Sequence, residues 1–366
     1  MKPENIIVVG ASAGGFEAIK ALVAGLPKDL PAAVLIVWHM SPDVRGVLPQ
    51  VLNRLDGMGA AHGFDGEKME EGRIYVAPPD RHLLIEPGQI RVTRGPKENR
   101  FRPAVDPLFR SAALHYGPNV IGVILSGALD DGTSGLWTVK QRGGVAVVQD
   151  PADAEFPSMP ENAIRGAAAD HVVPVAEMPG LLVKLLNGKE KGRAEIAGSN
   201  GEIDEKRLRL EVGIALENNA LEAGIMEHGD YTPYTCPECH GVLSRLKEGN
   251  LVRYRCHTGH GFTADSLLTS VTENIEESLW SAIRGVDESI ILLNHMGDHF
   301  AEVNQPRLAA MFFRKAREAQ ERNDTIRSVV MAHEQVSSDS LREASRQGNG
   351  DGAYPPDQEM PRGEVH

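Results

Sequence analysis

Three short, unbroken apolar runs in the first third of the chain each stop at a small or polar residue, and they limit the fold more than any other feature. Ile6-Ile7-Val8-Val9 leads into Gly10-Ala11-Ser12-Ala13-Gly14-Gly15, and Ala33-Val34-Leu35-Ile36-Val37 leads into Trp38-His39. Val120-Ile121-Gly122-Val123-Ile124-Leu125 runs into Ser126-Gly127-Ala128-Leu129-Asp130-Asp131-Gly132. Continuous apolar runs of this length followed by glycine read as strands buried on both faces, which is the habit of parallel sheets. In a parallel sheet the groups that follow neighbouring strands converge on one edge, where open α/β folds bind and react. A Ser, a His and an Asp would meet there.

The segments between these runs support an α/β reading. Gly14 to Leu26 places Phe16, Ile19, Leu22 and Val23 at helical spacing, and Gly46 to Leu55 does so with Val47, Leu48, Val51, Leu52 and Leu55. Arg73–Val76 reads as a strand, and His82–Ile85 with Gln89–Val92 reads as a hairpin turning at Pro87-Gly88. Arg100–Tyr116 is a loop entering a helix, Ser134–Gln141 a helix, Val145–Val148 a strand, and a further helix begins near Pro160. Alternation of this kind predicts a doubly wound, mostly parallel sheet over residues 1–187.

The second half differs in charge and pattern. Residues 1–199 carry 21 Lys+Arg against 23 Asp+Glu, whereas residues 200–366 carry 17 against 28. An acidic chain without long basic runs argues against nucleic acid as the main partner. Arg91, Arg94, Lys97, Arg100 and Arg102 form a local basic segment that suits an acidic protein substrate or, as the plainer reading, a solvated loop. No run approaches the ~20 apolar residues of a membrane span, and the first apolar run is too short for a signal peptide. The expectation is a cytoplasmic protein with no direct membrane insertion.

Residues 188–206, rich in Gly, Lys and Glu, read as a linker, followed by a short helix near 207–223 and a cysteine-bearing module to residue 263. Leu268, Val271, Ile275, Leu279, Ala282, Val286, Ile290 and Leu293 then recur at helical steps, as do Leu308, Phe312, Ala316, Ala319, Ile326, Val330 and His333. The helical region at 264–344 is either a hairpin within one chain or a coil joining a homodimer. Residues 345–366 are rich in Gly, Pro and charge and read as a disordered tail.

Gly10-Ala11-Ser12-Ala13-Gly14 fits G-x-S-x-G between a strand and a helix. Such a turn lifts the Ser12 hydroxyl above the strand end, Gly14 admits a substrate close to the backbone, and the Ala13 N–H can face an oxyanion. The rival is a phosphate-binding turn, but that motif needs glycine where Ser12 stands. His39 is a histidine filling a strand end or, beside Ser12, a general base. Asp131 would orient the imidazole, with Asp130 as a rival and a helix-starting turn as the plain alternative.

These motifs carry a resemblance. Gly-Ala-Ser-Ala-Gly-Gly, Trp38-His39-Met40-Ser41-Pro42, Asn99-Arg100-Phe101-Arg102-Pro103-Ala104-Val105-Asp106, Leu125-Ser126-Gly127 through Asp131-Gly132, and Ser158-Met159-Pro160 before Ala163-Ile164 resemble the catalytic domain of bacterial chemotaxis protein-glutamate methylesterases. The resemblance covers about residues 4–186 with the motifs in the same order. It implies Ser12 as nucleophile, His39 as base and Asp131, not Asp130, as third member. It further implies Ala13, Gly14, Arg100, Arg102 and Met159 around the substrate, a methylated chemoreceptor or similar acidic protein as partner, and no cofactor for catalysis. The implied reaction is hydrolysis of glutamate γ-methyl esters, with deamidation of glutamine through the same intermediate.

The chain departs from the family pattern in three places: Ala13 stands where Thr is usual, and Ala128-Leu129 where Met-Gly is common. The family's receiver domain, usually placed before the catalytic part, is expected to be absent in cis because the nucleophile motif starts at residue 12. A non-catalytic signalling scaffold and a general small-ester hydrolase are the alternatives to the methylesterase reading.

Cys236-Pro237-Glu238-Cys239, then sixteen residues, then Cys256-His257-Thr258-Gly259-His260 has metal-ligand spacing. Cys236, Cys239 and Cys256 are expected as zinc ligands, and His260 as the fourth, with His257 and His240 as rivals. Four protein ligands would make the zinc structural. A cysteine module followed by a long helix also resembles the C-terminal extension of some receiver-less methylesterase homologues.

Overall fold

A computed structural model describes residues 3–39, 46–188, 205–249 and 251–332. Met40-Ser41-Pro42, most of the expected linker, the residues beyond 332 of the helical region and the expected tail at 345–366 lie outside the described residues.

The three apolar runs become β1 (Ile6–Ala11), β2 (Ala33–Trp38) and the later strand at Val120–Ile124. Between them lie α1 (Gly15–Ala24), α2 (Leu48–Leu52), β3 (Gly59–His62), β4 (Arg73–Val76), the antiparallel hairpin β5 (His82–Glu86) and β6 (Gln89–Thr93), and α3 (Val105–Tyr116). The run at 120 is β7, followed by α4 (Thr133–Gln141), β8 (Val145–Gln149), α5 (Ser158–Ala167), β9 (His171–Val173) and α6 (Met178–Asn187). Seven strands form one sheet in the order β3-β4-β2-β1-β7-β8-β9, and every pairing in it is parallel.

Alternation along β1 explains the layers. Ile6 and Val8 enter a core with α3, α4 and α5, through Phe109, Leu136 and Met159. Ile7, Val9 and Ala11 enter a second core with α1, α2 and α6, through Ile19, Leu52 and Leu182. Both faces of the sheet are therefore covered, which is why these strands are apolar at every position. Strand order reverses direction about β1, with β2 on one side and β7 on the other. That reversal opens the crevice in which the site is built.

The second half adds α7 (Glu205–Ala215), whose Leu208, Val212 and Ala215 pack with Leu84 and Leu114 of the first half. It is shorter than the helix expected near 207–223. A four-stranded antiparallel sheet follows, β10 (Asp230–Thr235), β11 (Val242–Glu248), β12 (Leu251–Cys256) and β13 (Gly261–Thr263). Helices α8 (Ala264–Glu302) and α9 (Pro306–Met331) fold back on one another as an intrachain hairpin. Phe300 stacks on Phe312, and Asp287 accepts hydrogen bonds from Asn323 and Arg327 at 2.6 Å. Thr263 caps α8 reciprocally with Ser266, which accounts for a sharp start to so long a helix.

Candidate active site

Ser12 follows β1 and is fixed by its backbone. Its N–H donates to the Ser126 carbonyl at 3.0 Å, and its own carbonyl accepts from Gly15 N–H and from Trp38 Nε1, each at 3.0 Å. Gly14 has φ 68, the left-handed turn that swings the chain from strand into helix. A Cβ at Gly127 would lie 2.9 Å from Ser12 Cβ and 2.4 Å from Met159 Sδ, so glycine there lets Met159 and Ser12 close on one spot. The Ala13 carbonyl is held by Ser126 Oγ at 2.8 Å, while its N–H has no acceptor among the described residues.

His39 extends the pairing of β2 with β1, its N–H donating to the Ala11 carbonyl at 3.0 Å. Its Nε2 lies 2.7 Å from Asp131 Oδ2, with the two side chains only 3% and 2% exposed. The other ring nitrogen, Nδ1, is buried without a hydrogen-bond partner among the described residues. No hydrogen bond joins it to Ser12 Oγ in this structure. Phe101 stacks on the imidazole.

Asp131 and Asp130 part company. Asp131 accepts from His39, from Val105 N–H, from Asn99 Nδ2 at 2.9 Å and from Asp106 N–H at 3.3 Å. Burial works against its charge, yet the His39 hydrogen bond and these other donors hold its carboxyl below the ordinary value. Asp130 instead accepts from Thr263 Oγ1 at 2.7 Å, and burial pushes its carboxyl up to about 8. Asp106 is also pushed up, by burial and by the charge of Asp131 beside it.

The basic segment is engaged within the chain. Arg91 pairs with Asp65 and Glu86, Arg94 and Arg102 with Asp80, Lys97 with Glu238, and Arg100 with Glu273 of α8. Arg100 and Arg102, expected beside the substrate, are thus part-buried ion-pair partners. The reading of the sequence also gave no role to Asn99, Phe101 or Asp106. Three-dimensional contacts alone bring them to the pair, Asn99 and Asp106 at Asp131 and Phe101 on His39.

The CheB methylesterase family matches residues 7–182. A putative protein-glutamate methylesterase/protein-glutamine glutaminase of Leptospira interrogans is 38% identical over 180 residues, covering 49% of this chain and 93% of that protein. The chain belongs to the CheB methylesterase family. Protein-glutamate methylesterase/protein-glutamine glutaminase 5 of Anaeromyxobacter dehalogenans is 40% identical over 186 residues, 50% of this chain and 51% of that one. The chain therefore spans about half the length of several curated relatives it matches. The crystal structure of the Thermotoga maritima CheB methylesterase catalytic domain aligns with 34% identity and a TM-score of 0.48, covering 50% of this chain and 98% of that one.

The cysteine cluster lies beyond the region matched to the CheB family. Sγ of Cys236, Cys239 and Cys256 and Nδ1 of His260 all lie within 4.8 Å of one another. Cys239 and Cys256 Sγ are 3.6 Å apart, and His260 Nδ1 is 3.7 Å from Cys236 Sγ and 3.6 Å from Cys256 Sγ. Zinc–sulfur bonds of ~2.3 Å at tetrahedral angles require sulfur–sulfur distances of about 3.8 Å, so the donor set fits that ion. His240 and His257 fall outside the cluster; His240 instead takes φ 61 where the Cys236 knuckle turns back.

Proposed function

We infer that the protein is a serine hydrolase acting on γ-methyl esters of protein glutamate, with deamidation of protein glutamine through the same acyl-enzyme. The observation that carries this is the His39–Asp131 pair at 2.7 Å with the remaining imidazole nitrogen buried and unused, at the sheet edge where Ser12 stands. Donation of Nε2–H to Asp131 leaves Nδ1 as the basic nitrogen, so Nδ1 takes the Ser12 proton as Oγ attacks the ester carbonyl. The Ala13 N–H, which has no acceptor among the described residues, is read as a backbone donor for the oxyanion. Collapse passes the proton to departing methanol, or to ammonia in the glutamine case, and water repeats the cycle to free the glutamate.

The names of the relatives support a protein substrate, which by family resemblance is a methylated chemoreceptor. The basic segment no longer separates that substrate from a small ester, because its cations are used internally. Residues 1–187 are read as the catalytic unit, with 207–263 as a zinc-bearing unit and 264–344 as a helical one. Cys236, Cys239, Cys256 and His260 would hold a structural zinc with no open position. Among the described residues no helix is long and apolar enough to cross a membrane; a cytoplasmic site of action is read from the family resemblance.

The deciding experiment measures methanol released from radiolabel-methylated receptor cytoplasmic domains. Ser12→Ala should lose several orders of magnitude in turnover while keeping its melting temperature. Near-normal release by the folded variant would remove Ser12 from the mechanism.

A further inference from the structure

We propose that Asn99 is a positioning residue, through which the N-terminal cap of α8 sets the Asp131 carboxylate and makes the second half of the chain part of the hydrolytic geometry. The proposal rests on the triad reading above. Asn99 is 3% exposed and sits at φ 48, a left-handed conformation that asparagine tolerates better than most side chains. Its Nδ2 donates to Asp131 Oδ1 at 2.9 Å and to Asp106 Oδ2 at 3.0 Å. Its Oδ1 accepts from Thr263 N–H at 2.9 Å and Ser266 Oγ at 3.2 Å. An amide offers two donors and two lone pairs, so every one is used.

The arrangement is selective for asparagine. Aspartate has the same shape, yet it would lose both donors and set a third negative charge against Asp106 and Asp131. The backbone reinforces the link: Asn99 N–H donates to the Gly261 carbonyl at 2.8 Å, and Gly261 N–H donates to the Lys97 carbonyl at 3.2 Å. Residues 97–99 thereby lie along β13, the strand that starts one residue after His260.

On Asp131, Oδ2 is engaged by His39 and Val105, whereas Oδ1 has only Asn99 and the longer contact from Asp106 N–H. Removing the amide frees the carboxylate to rotate. It also strips the donor that stands between two buried acids, so one of them takes up a proton at higher pH. The ionisable groups around this pair are His39 from the end of β2, His82 of β5, Asp130 beside it, Glu98 before α3, Arg110 of α3 and Arg253 of β12 acting on Asp106, and Asp265 at the start of α8 acting on Asp130.

The test uses the full chain and a fluorophosphonate, which marks an activated serine without needing a methyl ester. Labelling rates at Ser12 are measured from pH 5 to 9 for the parent, Asn99→Ala and Ser266→Ala, with melting curves for each. The expected result is a labelling rate lowered about tenfold to a hundredfold in Asn99→Ala, the size typical of lost outer partners at a site. Its acidic limb should move to higher pH, and Ser266→Ala should move the same way by less. If Asn99→Ala does not fold, Ser266→Ala decides alone. A uniform loss of rate with the limb unmoved means a purely structural role and overturns the proposal. So do parent-like profiles in both variants. A parent in which Ser12 is not labelled overturns the triad reading itself, and the proposal with it.

Discussion

Phe101 lies flat on the His39 imidazole, with ring centroids 3.8 Å apart and planes 8° from parallel. The backbone of Phe101 exchanges hydrogen bonds with Glu98, so the ring is held by a short closed loop and not by packing alone. An aromatic ring in this place limits the tilt of the imidazole and keeps water from one of its faces. Stacking of this kind is worth ~0.5–1.5 kcal/mol. Phe101→Ala should therefore lower kcat about two- to tenfold with KM unchanged. Steady-state kinetics on an activated ester will show it; an unaltered kcat would leave the ring without a role in orienting His39.

The two adjacent aspartates should separate cleanly. Asp131→Asn removes the acceptor that selects the His39 tautomer, and loss of such a group costs about 10⁴ in kcat in serine hydrolases. Asp130→Asn should keep activity within a few-fold, since its partner is Thr263.

Asp130 should also shape the dependence of stability on pH. Its carboxyl rises from 3.8 to about 8 in the fold, so between those values the folded chain binds more protons than the unfolded chain. Stability from this group is then complete below pH 3.8 and falls as pH rises toward 8. Denaturant titrations at pH 5 and pH 8 should show the parent losing more stability than Asp130→Asn over that interval. Equal losses would mean that Asp130 does not carry the effect.

A buried ion cluster holds the halves together. Glu98 accepts from Arg110, Arg253 and Arg255, Glu211 pairs with the same three arginines, and Glu248 pairs with Arg253. Burial opposes the Glu98 charge, but Arg110, Arg255 and Arg253 bring its carboxyl down to about 2. Its contribution is therefore complete above the unfolded value of 4.5 and lost as pH falls toward 2. Glu98→Gln leaves guanidinium groups buried with too little opposite charge and should cost about 3–5 kcal/mol at pH 7. Urea unfolding followed by fluorescence is the measurement, and a cost below ~1 kcal/mol would mean that water screens the cluster.

Zinc removal should act at a distance. Chelation at the Cys236, Cys239, Cys256 and His260 set should loosen β13, which begins at Gly261 and carries the Thr263 N–H bonded to Asn99. Elemental analysis should give about one zinc per chain. The stripped protein should lose turnover, regain it on adding zinc, and show little further loss when Asn99→Ala is already present. Independent, additive losses would mean that the two act by different routes.

The sheet was readable because its strands are buried on both faces: β1, β2 and β7 need no pattern beyond unbroken apolarity. β3 was not, since Gly59-Ala60-Ala61-His62 lies at the sheet edge and carries little apolar content. The places of Ser12, His39 and Asp131 after strand ends were legible, and the structure pairs His39 with Asp131. Asn99 was not, because its partners are 7, 32, 164 and 167 positions away along the chain. The ion pairs of the basic segment were hidden for a related reason: Glu238 and Glu273, which engage Lys97 and Arg100, come from elements that no local pattern ties to them.

The link from Asn99 to Thr263 and Ser266 has a consequence for the chain during its synthesis. The parallel sheet is complete in sequence at Val173, when Ser12, His39 and Asp131 have all emerged. Ser266 follows about 5 to 20 s later at ~5–20 residues per second. Throughout that interval a nascent chain holds the proposed nucleophile and base beside an acid whose brace has not yet been made. Hydrolytic competence would then arrive late, on the ribosome, with the strand that closes the cysteine module.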